Sequence, residues 1–322
     1  MEGNFWQKLK RPIIALAPLA DVTDPAFRRL IARIGKPDVF FTEFISCDGL
    51  CHPLARARLE KDMLFSEKER PIVLQVFTSL PENMERCARL AQEKGFDGID
   101  INMGCPERSA VRKGACAALV RTPRLAQDII RAAQEGAGSV PVSAKIRLGY
   151  DQNVIAWWME TLLEVRPAAI TVHGRTARQF SRVPADWDSI GRAAVVARGS
   201  GVLVVGNGDV QSVREAEEKA RQYGVDGVMI GRAALKNHWL FAGRMIEAVS
   251  AAEKLDAFVE HVLLFAEEYG GERGIWVLRK HVKTYTCGIP GAKELRERLM
   301  QAQSASEAVA VVRAWKKDER GI

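Results

Sequence analysis

Cysteine is scarce in this 322-residue chain. The six residues Cys47, Cys51, Cys87, Cys105, Cys116 and Cys287 show neither the density of a disulfide scaffold nor the paired spacing of a zinc site. That excludes a cross-linked secreted fold and makes a reducing cytoplasm the simplest setting. A long hydrophobic run is missing too. The apolar stretch beginning at Ile13 stops at Asp21, and residues 1–11 ahead of it are polar and basic, which fits neither a signal peptide nor a membrane span. Acidic residues fall short of basic ones, 40 against 47, leaving a net charge of +7 that permits a polyanionic partner without requiring one. With 47% hydrophobic and 27% charged residues the chain is expected to be soluble and intracellular, with a sizeable core.

What is present is a repeated pattern. Short β-branched runs recur at 13–20, 39–44, 72–77, 98–104, 142–148, 169–175, 202–208 and 227–233, each followed by polar or Gly-rich residues and a helical stretch. Two helices carry clear start signals, a polar cap and then proline, at Asp24-Pro25 and Thr122-Pro123. Strands that are apolar on both faces and alternate with helices imply a parallel sheet, and eight of them fit an α/β (β/α)₈ TIM barrel. An open doubly wound sheet is the alternative. The Gly-rich dinucleotide fingerprint is absent after the first strand, where Ala17-Pro18-Leu19-Ala20 stands, so the barrel is preferred. Beyond Val249 the runs 255–269, 275–285, 292–303 and 306–316 read as helices, broken at Gly270-Gly271, Gly288-Ile289-Pro290-Gly291 and Ser304. The expected division is a barrel over 1–250 and a small all-helical domain over 251–322.

A barrel keeps its chemistry on the loops at the carboxyl ends of its strands. There the chain places Pro18-Leu19-Ala20, Glu43, Gln75, Asn102 with Cys105, Lys145 with Arg147, His173 with Arg175, Asn207-Gly208-Asp209 and Gly231-Arg232. Each has a plain structural alternative. Cys105 could be a small apolar filler, Gln75 a core amide, and His173 a hydrogen-bonded framework residue. Lys145, inside an apolar strand, could snorkel or meet Glu43 or Asp100. Gly208 and Gly231 could be turn glycines, with Arg232 solvated. Taken together, Gln, Asn, Lys and His on one mouth, with Gly-rich loops after the last two strands opposite, suit a flat heterocycle with a phosphate tail, and flavin mononucleotide (FMN) fits.

This ordered set of blocks resembles the tRNA-dihydrouridine synthases, FMN-dependent barrels with a helical tRNA-binding domain. The resemblance rests on 17–24, Asn102-Met103-Gly104-Cys105-Pro106 with Lys113-Gly114, Lys145-Ile146-Arg147, 172–176, Asn207-Gly208-Asp209 and Ile230-Gly231-Arg232. Arg279-Lys280-His281 and Gly288-Ile289-Pro290-Gly291 continue it, so that it spans nearly the whole chain. It implies reduction of the C5–C6 double bond of selected uridines in tRNA. NADPH would reduce FMN, hydride would pass to C6, and Cys105 would protonate C5. It implies further that Asn102 orients the base, and that Lys145, His173, Gln75, Pro18, Leu19 and Ala20 contact FMN. Asn207, Gly208, Asp209, Gly231 and Arg232 would hold its ribityl-phosphate end. The extruded tRNA nucleotide and its phosphates would meet Arg147, Lys113, Arg112, Arg175 and Arg178, and the helix with Arg279, Lys280 and Lys283.

No metal and no membrane are expected, and a monomer is compatible with the sequence. Cys116, in Lys113-Gly114-Ala115-Cys116-Ala117, puts a second thiol in a loop expected to be mobile over the site and is read as structural. Cys47 and Cys51 have helical spacing and could hold a metal only with ligands from elsewhere. The rivals are an FMN barrel acting on a free pyrimidine and a non-catalytic tRNA-binding barrel. The helical C-terminal region and basic excess argue against the first, and the set Asn102, Cys105 and Lys145 against the second.

Overall fold

Each of the apolar runs gives a parallel strand, the second only over Phe40–Phe41, and a further short strand, Ile45–Ser46, lies past that run's end. The computed structural model describes residues 4–270 and 274–318, so Gly271 and residues 1–3 of the basic N-terminal stretch lie outside the described residues. The strands among those residues are β1 (Ile13–Leu16), β2 (Phe40–Phe41), β3 (Ile45–Ser46), β4 (Ile72–Phe77), β5 (Gly98–Met103), β6 (Val142–Arg147), β7 (Ala169–His173), β8 (Leu203–Asn207) and β9 (Gly227–Ile230). They pair in the order β1-β9-β8-β7-β6-β5-β4-β2, with β3 on the far end of β4. An Ala15–Val39 bridge, reinforced by Leu16 N donating to Val39 O at 3.1 Å, closes β1 onto β2. The result is a TIM barrel of eight strand positions, with helices in between and a helical C-terminal region.

The break between β2 and β3 has a cause in Thr42. Its Oγ1 accepts the Gln75 N–H at 3.0 Å and donates to Glu43 O at 2.9 Å, so a side chain occupies a place in the ladder. Phe41 pairs with Val73 but Ile45 with Val76, which leaves one extra residue on this strand, as in a β-bulge. Every residue past the bulge therefore points to the face opposite to the one that simple alternation gives.

Elsewhere the alternation is kept, and it sorts the lumen into levels. Asp100, Ser143, Ala169 and Leu203 are register partners in turn; two residues on stand Asn102, Lys145, Thr171 and Val205. The top level is Arg147, His173, Asn207 and Met229. The lower lumen is plugged by Trp6, Ile13, Ala15, Phe41, Val73, Ala169 and Leu203, and a second apolar shell lies between sheet and helices. Polar side chains thus collect toward one end.

The first helix behaves as its signal predicts. Pro25–Ile34 is capped by Asp24, whose carboxylate accepts the Phe27 N–H at 2.8 Å. Pro123–Ala137 differs: Thr122 sits at φ −129°, ψ 68° and makes no side-chain cap, so proline alone sets that start. The C-terminal helices are Ala251–Tyr269, Arg279–Tyr285, Ala292–Gln301 and Ala305–Asp318. The first begins earlier than its apolar stripe suggests because Ser250 caps it through the Glu253 N–H at 3.1 Å. Gly270 ends it in the left-handed region at φ 54°. The apolar cluster of these helices also takes in Trp239, Ile246 and Val249, together with Ala26 and Leu30 from Pro25–Ile34. Phe27 and Ile31 on the same helix belong to the barrel's shell.

Candidate active site

The mouth at the carboxyl ends of the strands holds a cavity of ≈ 650 Å³, a size suited to a cofactor. Of the expected residues, Pro18, Leu19, Gln75, Asn102, Cys105, Lys145, Arg147, His173, Arg175, Asn207, Gly208, Asp209, Gly231 and Arg232 all line it. Two do not. Ala20 is exposed on the loop past Leu19, and Lys113 is exposed at the end of the helix Arg108–Arg112.

Cys105 is fixed from several sides. Asn102 Oδ1 accepts the N–H groups of Gly104 at 3.1 Å and Cys105 at 2.9 Å, while the Cys105 carbonyl accepts the Ala117 N–H at 3.1 Å. The Asn102 amide N–H donates to Gln75 Oε1 at 3.1 Å, and Gln75 Nε2 donates to Asp100 at 2.6 Å. Asn102 was expected to orient a base. Its oxygen accepts from the Cys105 turn, and one amide hydrogen remains for a ligand. The Cys105 thiol, partly exposed in the cavity, is drawn down to about 7 by hydrogen bonding from Cys116, by the Glu107 N–H and by Arg147, against the opposing effect of burial. A thiol of that acidity exists in both protonation states near neutral pH.

Cys116 is not on an open loop. It is fully buried and starts the 3₁₀ turn Cys116–Arg121. Cys47 is buried as well, its carbonyl contacted by the Cys87 thiol at 3.8 Å, and burial pushes its thiol up. Among the described residues no group of three or more His, Cys, Asp or Glu is placed to hold a metal ion, and no helix is long and apolar enough to cross a membrane.

Beside the thiol, Lys145 donates to Asn207 Oδ1 at 3.2 Å, and Asn207 Nδ2 donates to Met229 O at 2.7 Å. Burial, and then Arg147, lower the Lys145 ammonium to about 8, with Asp100 opposing. Asp100 lies beneath with its carboxyl raised by burial to about 6, although Ser143 and Gln75 hydrogen-bond it. Of the two carboxylates weighed as partners for Lys145, Asp100 is the one that acts on it.

His173 is neutral: burial, then Lys145, Arg147, Arg175 and Arg232, push its pKa far below the ordinary value. Arg175 Nη1 lies 3.1 Å from His173 Nε2; a guanidinium only donates, so Nε2 accepts and the ring proton sits on Nδ1.

The arginines expected to meet substrate phosphates are largely engaged in the frame. Arg147 donates to Gly104 O at 2.8 Å and to Thr176 O and Phe180 O at 3.0 Å. Arg175 is 2% exposed, donates to Val183 O at 2.6 Å and pairs with Asp209. Carbonyls turned inward by these loops need donors, and the two guanidinium groups supply them. Arg178 pairs with Asp151, and Lys280 donates to Asp21 O. Burial opposes ionisation of Asp209, but the Ala185 N–H, Arg175 and Arg232 outweigh it and keep its carboxyl below the ordinary range.

Sequence reasoning missed Phe44, Phe180, Met229 and Lys236, all of which line the cavity. Met229 was accessible from alternation along its strand, and Lys236 from its place one turn after Arg232. Phe44 was hidden by the Thr42 bulge, which brings it inward in place of Glu43.

The Gly231 end tests a phosphate fit. A Cβ there would come 3.5 Å from the Ala17 Cβ, filling space at the mouth beside Arg232 and Lys236. Cations, a half-buried lysine and an acidic thiol lie together at one barrel mouth, where TIM-barrel enzymes keep their active sites. The chain belongs to the dihydrouridine synthase family, whose model matches residues 15–319. Similar proteins include a probable tRNA-dihydrouridine synthase of Staphylococcus aureus (strain COL), 38% identical over 318 residues, covering 97% of this chain and 95% of that protein. Another is probable tRNA-dihydrouridine synthase 2 of Bacillus subtilis (strain 168), 37% identical and covering 97% and 96%. Among solved structures, morphinone reductase shares the fold, with a TM-score of 0.51, 11% identity, and coverage of 71% of this chain and 84% of its own.

Proposed function

We propose that this protein is a tRNA-dihydrouridine synthase that uses FMN and NADPH to reduce the C5–C6 double bond of uridines in tRNA, with Cys105 donating the proton to C5. The observation that carries this reading is the Cys105 thiol, which is acidic, partly exposed and clamped by Asn102 on the same mouth as Lys145 and Asn207. FMN bound at this mouth would supply the hydride that passes to C6.

The chain's own residues then have distinct tasks. Lys145 offers a cation to an anionic ring, and Gly231, Arg232 and Lys236 offer room and charge to a phosphate. His173, neutral with Nδ1 protonated, can act as a donor but adds no charge. Cys105 holds the proton, and because its acidity is matched to neutral pH it gives that proton up readily while remaining partly protonated beforehand. Asn102 keeps the thiol in place and has one N–H left for the base. Exposed Arg112, Lys113 and Lys283 are suited to the phosphates of an RNA whose target base is turned out into the mouth. The C-terminal helices, 251–322 by the sequence-based division, are assigned to tRNA binding.

The test is direct. Purified protein should be yellow, be bleached by NADPH, and form dihydrouridine in unmodified tRNA but not reduce free uracil or orotate. Cys105→Ala should keep flavin and lose at least 10²-fold in turnover, the scale of lost general acid catalysis. Turnover on free pyrimidine, or full activity in Cys105→Ala, would refute the proposal.

A further inference from the structure

Among the described residues the most exposed aromatic side chain is Trp276, 62% exposed. It lies in the 3₁₀ turn Ile275–Leu278, which runs straight into the helix Arg279–Tyr285 because Leu278 and Arg279 both keep right-handed helical angles. Leu278, Val282 and Tyr285 bury one face of this segment in the core of the C-terminal helices. Trp276, Lys280 and Lys283 stand four and then three residues apart, the spacing of a single helix face, and all three are exposed. The indole leans back on Gly274, where a Cβ would run into the ring, so bare backbone supports it and the remainder stays open to solvent. The same helix is pinned to the rim of the mouth at two points. Lys280 donates to Asp21 O, two residues past Leu19, which lines the cavity. Thr284 Oγ1 donates to Leu235 O at 2.7 Å in the helix Arg232–Lys236, whose Arg232 and Lys236 line it too. Trp276 stands one turn before Lys280, about 6 Å along the axis, and so beside the rim.

We propose that Trp276 is a stacking platform for an unpaired tRNA base close to the uridine turned into the mouth, and that Lys280 and Lys283 hold the phosphates beside it. Turning a base out of its stack uncovers the faces of its neighbours. An indole offers a flat apolar face in exchange, and the exchange does not depend on which base arrives, since every base has a π-face. The lysines on the same face supply the charge that a polyanion requires. Lys283 is exposed, and the Lys280 ammonium, with three donors and one used on Asp21 O, keeps two for phosphate oxygens. Lys236 continues the positive charge into the mouth. The inference rests on the reading of this protein as a tRNA-binding enzyme, and goes beyond it by assigning a contact to a residue that carries no charge.

Binding of a labelled, unmodified tRNA transcript to the purified protein is measured by fluorescence anisotropy over a range of salt for wild type, Trp276→Ala, Trp276→Leu, Trp276→Phe and Lys283→Ala. Trp276→Ala should weaken binding about 5- to 150-fold, the range covered by loss of one base–aromatic stack. Trp276→Leu, apolar but without a flat ring, should lose nearly as much, and Trp276→Phe should stay within about threefold of wild type. The slope of log affinity against log salt should be unchanged in Trp276→Ala and shallower by about one in Lys283→Ala, because only the lysine releases a counterion. Wild-type affinity in Trp276→Ala overturns the proposal. A Trp276→Leu protein that binds as tightly as Trp276→Phe overturns it as well, since apolar contact without stacking would then suffice. So does a changed salt slope in Trp276→Ala, because the ring would then act only through the lysines. The ring is exposed, so urea unfolding midpoints of the variants should match wild type; if Trp276→Ala is destabilised, the comparison of Phe with Leu decides. Weakened binding in Trp276→Ala together with a wild-type protein that forms no dihydrouridine removes the proposed function and leaves the stacking contact standing. Dihydrouridine formation by wild type with unchanged binding in Trp276→Ala does the reverse.

Discussion

Replacing Lys145 with Met should stabilise the cofactor-free protein, although it removes a residue expected to hold the cofactor. The ammonium is lowered from 10.5 to about 8 by burial and by Arg147. Keeping it protonated at pH 7 therefore costs about 3 kcal/mol, at 1.36 kcal/mol per pK unit. A methionine of similar length removes that cost and forfeits the hydrogen bond to Asn207, worth about 1 kcal/mol, for a net gain of about 2 kcal/mol. The sign with pH follows from proton counting. Between about 8 and 10.5 the unfolded chain holds the lysine proton and the folded one has lost it, so this group makes wild-type stability rise with pH across that window. The penalty is complete below about 8 and gone above about 10.5. Urea unfolding of both proteins without cofactor, at pH 7 and again near pH 10, reads the difference with the other titrating groups cancelled. The variant should be more stable at pH 7, the gap should close or reverse at high pH, and FMN affinity should fall at least tenfold. A variant less stable than wild type at pH 7, or a gap that does not change with pH, would refute the reasoning that burial of Lys145 is a standing cost recovered on binding an anion.

Asn102→Ala should leave the Gly104 and Cys105 N–H groups and Gln75 Oε1 without their partner, costing about 2–4 kcal/mol in urea unfolding and at least tenfold in turnover; Asn102→Asp, which keeps the acceptor, should cost less in urea unfolding and lose base binding, seen as a raised KM for tRNA. Equal damage from both would mean the turn does not depend on Oδ1. The buried Arg28–Glu69 pair, 2.8 Å and fully inaccessible, is satisfied further by Thr23 O and Leu64 O, so Arg28→Met should destabilise by about 3–5 kcal/mol in thermal or urea melts, while the double change to Met and Leu recovers most of the loss.

How far the sequence could be read depended on whether a local rule held along the chain. Eight apolar runs and a capped Asp24-Pro25 helix are local signals, and they led to the barrel. Cys105, Lys145, His173 and Asn207 were legible because regular alternation from an apolar strand carries each of them to the mouth. Phe44 was not, because the Thr42 bulge depends on a contact with Gln75 on another strand. The roles of Arg147 and Arg175 were equally out of reach. A charge in a basic cluster looks the same in sequence whether it faces a phosphate or satisfies the carbonyls of its own loops. Cys116 shows the same gap, since only the folded turn takes it out of solvent.

The helix Pro25–Ile34 has one side in the barrel's shell, through Phe27 and Ile31, and the other in the core of the C-terminal helices, through Ala26 and Leu30. Its Arg29 pairs with Glu267 and Glu268, and Arg33 with Glu260. A single element thus serves as a party wall, and neither tenant can leave without baring an apolar face. Modularity is lost as a result: the helical region cannot be exchanged for that of another protein as a detachable cassette.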